Sequence, residues 1–143
     1  MPEVAMYTGS WERYNTHDGE HWALLFPHGG AVFLDDPDSP GERAPTPRRY
    51  TVAMMHQLQC MDVLRVQFLL PRAQRDRART HHCMNLLRQA ILCRGDLQLD
   101  GLQYESHIRT LAPYQERRCQ DWRAVYAKVA ENQAAHAALL GEL

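Results

Sequence analysis

Two six-residue stretches, Cys60-Met61-Asp62-Val63-Leu64-Arg65 and Cys83-Met84-Asn85-Leu86-Leu87-Arg88, are identical at four positions. Each lies inside a run of helical periodicity. From Tyr50 to Leu70 the apolar positions include Val52, Met55, Leu58, Met61, Leu64, Val66 and Phe68, and Pro71 ends the run. From Arg79 to Arg94 they are Cys83, Leu86, Leu87, Ala90 and Ile91, and Gly95 supplies a stop. Two similar helices joined by a short linker pack as an antiparallel pair. That expectation constrains the fold more than any other feature of the chain.

A third helix is expected from Gln120 to Leu140, with Trp122, Val125, Tyr126 and Val129 as its packing stripe and an alanine-rich end of high intrinsic propensity. Upstream, His21 to Phe26 reads as one or two helical turns. Pro27-His28-Gly29-Gly30 reads as a turn, and Ala31 to Leu34 as a short apolar strand. Residues 35–48 hold four prolines and a glycine and read as a surface loop. Around Asp100-Gly101 the pattern LQLDGLQY alternates, a two-residue hairpin signal. Residues 1–20 and 105–118 show no clear period. The expectation is one mainly α domain over residues 1–143. It has three main helices, a small β-hairpin and a long N-terminal segment packed around them. A chain of 143 residues can bury a core without metal or disulfide staples.

The net charge of -1 gives no global field for recruiting nucleic acid or an anionic membrane. Arg72, Arg75, Arg77 and Arg79 form a basic run without interleaved aromatics, which reads as a solvated connector. No stretch of 18 apolar residues exists, so no membrane span is expected in this chain, and no signal peptide is recognisable. A cytoplasmic location is expected if the chain is complete, and a secretory lumen if an N-terminal segment was removed. Cys60, Cys83, Cys93 and Cys119 contain no C-x-x-C. They are compatible with two disulfides in any of three connectivities, or with reduced thiols.

Chemistry concentrates where the two helices carry histidine beside cysteine. In the first, His56 and Cys60 stand four apart and share a face, with Gln59 one turn from His56. In the second, Arg79, His82 and Cys83 hold the matching places. The patterns are H-x-x-Q-C and R-x-x-H-C. Two histidines at i and i+3 on each helix would make a four-histidine site for copper, iron or zinc. Glutamine is a poor ligand for such metals, and arginine stays protonated and repels a cation.

These motifs resemble the UstYa family of fungal biosynthetic proteins, defined by two H-x-x-H-C motifs. EHWALLFPHGGAVFL looks like the family's N-terminal block, MMHQLQCMDVLR like its first motif, HCMNLLRQAILCRGD like its second, and CQDWRAVYAKVAENQ like its C-terminal block. The resemblance implies fungal natural-product pathways, including those of ribosomal cyclic peptides. Members there act as oxidases, oxidative cyclases, hydroxylases or halogenases, with copper implicated in some. It also implies an N-terminal membrane helix and a lumenal setting in most members. Carried over position by position, it points to His56, Cys60, His82 and Cys83. Gln59 and Arg79 depart from it, as does Arg117, which stands two before Cys119 where the family often has histidine.

Three readings stand for His56 and His82: a two-ligand metal remnant, an acid–base pair, or ordinary helix histidines. In the acid–base reading Arg79 stabilises a developing oxyanion and Gln59 orients a carbonyl. The plain alternative for Arg79 is a solvated linker residue. The cysteines read as disulfides, as thiolate ligands or as small buried apolar residues. Trp22, Trp122 and Tyr126 read as core, and His21 and His28 as candidates for lining a pocket. The sequence therefore points to a small-molecule tailoring enzyme acting by metal-independent cyclisation or isomerisation, with His56, His82, Gln59 and Arg79 at its site. No cofactor is expected, or copper if the family metal site survives. The partner is a small-molecule pathway intermediate, with homo- or hetero-oligomers with another UstYa-like protein as a further expectation. The alternatives are a copper-dependent oxidase and a non-catalytic partner of a complete family member.

Overall fold

The computed structural model describes residues 3–8, 14–35, 47–99 and 115–141. Its order is β1 (Glu3–Thr8), α1 (Gly19–Ala23), a 3-10 turn (Pro27–Gly30), β2 (Ala31–Leu34), β3 (Arg48–Thr51), α2 (Ala53–Leu69), α3 (Arg77–Arg94), β4 (Gln115–Gln120) and α4 (Trp122–Leu140). The three main helices are those expected, and the chain is mainly α. The expected hairpin around Asp100-Gly101 and most of the proline-rich loop lie outside the described residues.

Helices α2 and α3 form the expected hairpin. Pro71 cannot continue α2, and a short 3-10 turn at Arg72–Gln74 reverses the chain. The Asp76 side chain then caps α3, accepting from the Arg79 N–H at 2.9 Å. That cap starts α3 at Arg77, so Arg79 lies inside its first turn and not at its boundary. Gln67 accepts from the Asp76 N–H at 2.8 Å, tying the end of α2 to the start of α3. Between the helices lies a small core of Cys60, Val63 and Cys83, flanked by Leu64, Leu86 and Leu87.

Two antiparallel ladders frame this hairpin. Strand β2 pairs with β3, with Ala31 opposite Thr51 and Leu34 opposite Arg48. This corrects the expected helix start at Tyr50: Arg48–Thr51 is extended, and the helix begins at Ala53. Tyr50 and Val52 fit a helical stripe by spacing, but the ladder opposite Val32 claims Tyr50 first. The other ladder, β1 with β4, runs from Glu3 opposite Gln120 to Thr8 opposite Gln115. Neither strand announces itself, because residues such as Glu116, Arg117 and Arg118 give no apolar alternation. Gln120 belongs to β4, so α4 starts at Trp122, capped by the Asp121 side chain. A hydrogen bond from Arg123 holds the Asp121 carboxyl below its ordinary pKa. At the far end Gly141 adopts a left-handed conformation that closes α4.

Helix α4 is fastened to the segment before β3 by polar side chains that read its backbone. Asn132 accepts from the Phe33 N–H and donates to the Phe33 carbonyl, both at 2.7 Å. Gln133 donates to the carbonyls of Ala31 at 2.8 Å and Pro27 at 3.2 Å. The Tyr126 hydroxyl donates to Leu25 at 2.5 Å. Asn132 thereby occupies backbone groups of β2 that β3 does not pair, which protects the sheet edge. The turn before β2 is fixed from the other side. His28, Gly29 and Gly30 all have positive φ, and a Cβ on Gly30 would stand 2.5 Å from Cβ of fully buried Met55. The turn therefore rests directly against α2, one residue before His56. The N-terminal segment also packs as expected: α1 lies against α2, and Arg65 donates to the Thr16 carbonyl at 2.7 Å.

Candidate functional site

Helices α2 and α3 are cross-linked by a disulfide between Cys60 and Cys83, with Cα atoms 5.0 Å apart. Both cysteines are nearly inaccessible, at 2% and 3% exposure. The open question of connectivity is thus answered for this pair, and Cys93 and Cys119 carry free thiols. The disulfide sets the register of the hairpin. His56 precedes Cys60 by one helical turn, and His82 is the residue before Cys83.

The register brings the two histidines together. Their ring centroids are 6.0 Å apart, with the ring planes inclined at 31°. His56 is half-buried and His82 exposed, so the pair opens to solvent on one side. Ligand atoms of His56, Cys60 and His82 all lie within 4.8 Å of one another. The sulfur of Cys60, however, is consumed in the disulfide. It is not a thiolate and offers a metal no strong bond. Gln59 is half-buried on α2, and Arg79 is exposed on the first turn of α3. His81, the neighbouring histidine, is instead within 3.1 Å of the Asn85 amide.

The donor set is therefore two imidazoles. An amide stands at the third matching position and a permanent cation at the fourth. Two imidazoles suit copper(I) in low coordination. They do not complete the tetragonal set that copper(II) prefers, and Arg79 opposes a cation nearby. The same two imidazoles are well suited to moving protons, since imidazole alone among unperturbed side chains changes charge between about pH 5 and 8.

Other sequence-singled residues fall elsewhere. His21 is paired with Asp18 beside α1. His28 lines a cavity against α4, as expected of a pocket residue. Trp22 and Tyr126 are half-buried, but Trp122 is 44% exposed, a correction to its expected core position. It opens α4, where only the turn-capping Asp121 precedes it, and it packs edge-on against Tyr126.

The family model described as mycotoxin biosynthesis protein UstYa matches residues 30–128, which span both histidine-bearing helices. The chain belongs to the UstYa family. It is similar to the UstYa family oxidase phomYb of Diaporthe leptostromiformis, at 29% identity over 126 residues, covering 80% of this chain and 50% of that protein. The chain thus spans about half the length of the curated relative it matches. No solved structure matches it. The family is described as one of mycotoxin biosynthesis. Among the described residues, no helix is long and apolar enough to cross a membrane.

Proposed function

We propose that this UstYa-family chain is a small-molecule tailoring enzyme whose chemistry runs at His56 and His82 as paired proton transfer, giving cyclisation or isomerisation. The observation that carries this reading is the His56–His82 pair itself, 6.0 Å between centroids and open to solvent on one side. A neutral His56 takes a proton from a carbon acid beside a carbonyl, leaving an enolate. A protonated His82 returns a proton at another atom, so the substrate gains and loses one proton and no electrons. The imidazoles then exchange states with each other through solvent. Arg79 and Gln59 stand one turn along their helices from the pair, as cation and hydrogen-bond donor for the enolate oxygen.

A second reading is favoured by the relative, which is named an oxidase. In it His56 and His82 hold copper, which would supply electron transfer to an oxidant. The donor set described above is incomplete for copper(II), so no step is derived through the metal.

One experiment separates the two. The chain is added to its own biosynthetic pathway in a heterologous host, and the product is compared by mass with that of the pathway lacking it. Proton transfer alone gives an isomer of identical formula. Oxidation removes two hydrogens or adds oxygen. A His56→Ala, His82→Ala variant should abolish the conversion. Conversion that survives both substitutions, and needs a second family protein, would instead assign this chain as a partner subunit and refute the proposal.

A further inference from the structure

With Cys60 and Cys83 paired, two thiols remain: Cys93, exposed in the last turn of α3, and Cys119, half-buried in β4. The fold draws them towards one place, because the chain leaving α3 runs onto β4. Arg117 of β4 forms an ion pair with Asp96, just past the helix. Gln98 donates to the Glu116 carbonyl at 3.0 Å. As the number falls from Gln98 to Asp96, the partner on β4 rises from Glu116 to Arg117. Continued in that sense, the last turn of α3 falls beside Arg118 and Cys119.

The faces agree with that register. Arg117 and Cys119 stand two apart on β4, so they share one face of the strand, the face from which Arg117 reaches Asp96. Both are half-buried, while Glu116, Arg118 and Gln120 are exposed. On α3, Cys93 comes two turns after Leu86 and one after Ala90, and so continues the covered line of the helix that begins at Cys83. Each thiol therefore lies on the inward side of its element, and two polar contacts set the spacing between the elements. The exposure of Cys93 leaves it open to a small thiol reagent.

We propose that Cys93 and Cys119 form a second, reversible disulfide, made by exchange with a low-molecular-weight disulfide such as oxidised glutathione. The Cys93 thiolate attacks one glutathione sulfur, forming a mixed disulfide and releasing one glutathione thiolate. The Cys119 thiolate then attacks the Cys93 sulfur, and the second glutathione leaves. Two electrons pass from the protein to the glutathione disulfide, and the two thiol protons end on the two released glutathiones. The closed form ties the end of α3 to β4. Through the β1–β4 ladder, where Val4 stands opposite Cys119, it also holds the N-terminal strand. The Cys60–Cys83 bridge has both sulfurs buried and does not exchange under the same conditions. The chain thus carries one permanent cross-link and one that follows the thiol–disulfide balance around it. This inference is separate from the chemistry assigned to His56 and His82.

The test treats the folded chain first with reduced glutathione, which leaves Cys60–Cys83 closed, and then with excess oxidised glutathione. Intact mass should fall by two hydrogens with no glutathione retained, and peptide mapping should join the Cys93 and Cys119 peptides. The melt of this form should lie about 5–10 °C above that of the dithiol form. Cys93→Ser and Cys119→Ser should each stop at a mixed disulfide with one glutathione and show no such rise. Asp96→Ala, which removes the ion pair to Arg117, should lower the exchange equilibrium constant about threefold, the worth of one exposed pair. An unchanged constant would refute the register argued from that contact. Retention of two glutathiones, an unchanged mass, a bridge from either thiol to Cys60 or Cys83, or a link between two chains overturns the proposal.

Discussion

Reducing the Cys60–Cys83 disulfide should destabilise the protein by a calculable amount. The cross-link joins residues 23 apart in sequence. In the chain-entropy model, closing a loop of that length removes about 3 kcal/mol of freedom from the unfolded state at 25 °C. For a chain of this size that corresponds to a fall in Tm of ~10 °C on reduction. The measurement is a pair of thermal melts followed by circular dichroism, one oxidised and one in excess phosphine reductant. A Cys60→Ala, Cys83→Ala variant serves as control and should be insensitive to the reductant. The buried position of both sulfurs predicts further that reduction is slow without denaturant, because the core must open first. Melts that agree within about 2 °C would refute the loop-closure reasoning. So would native-state alkylation that modifies four thiols instead of Cys93 and Cys119 alone.

Two further outcomes follow from the turn and from α4. Gly30→Ala should cost about 3 kcal/mol, combining a positive φ with a Cβ placed 2.5 Å from Met55, whereas Gly29→Ala, whose nearest neighbour is the flexible Arg49 guanidinium at 3.6 Å, should cost only about 1 kcal/mol. Equal losses in urea titration would show that contact with Met55 does not constrain the turn. Burial raises the Tyr126 pKa, with Tyr14 adding to it, so the folded state holds that proton more tightly than the unfolded state does. Stability from this group is complete below the unfolded value near pH 10 and is lost as pH rises through the higher folded value. Tyr126→Phe should therefore be less stable than the parent at neutral pH by about 1–3 kcal/mol, through the unmet Leu25 carbonyl. That difference should shrink in urea melts above about pH 10; a constant difference would contradict the assigned cause.

The helices were legible because their signals are local. Met55, Leu58 and Leu64 repeat at helical spacing, and Pro71 and Gly95 punctuate. Of the strands, Ala31–Leu34 was legible as a short apolar run, but Arg48–Thr51 and Gln115–Gln120 become strands only through partners distant in sequence. Nor could the fastening of α4 be foreseen. Asn132 and Gln133 look like solvent-facing polar residues until β2 is laid beside them. Of the candidate site, His56 and His82 were found from their spacing to cysteine, but their meeting was not, because it depends on which cysteines pair.

The pairing of the cysteines also changes what the two departures from the motif mean. Taken along the chain, each H-x-x-H-C copy has lost one histidine, which suggests two half-sites broken independently. In a hairpin closed at Cys60 and Cys83, the two-fold relation that exchanges the cysteines carries His56 onto Arg79 and His82 onto Gln59. The close pair His56–His82 therefore has a single counterpart, Arg79–Gln59, and both departures fall within it. One imidazole pair is kept whole, and the other is replaced by a cation and an amide. A site binding metal through four equivalent ligands has no use for that division. A proton-transfer site does, because it needs imidazoles where the proton moves and fixed positive charge where the electrons go. The asymmetry between the halves of one cross-linked hairpin supports the acid–base chemistry proposed for this chain over that of the relative named an oxidase.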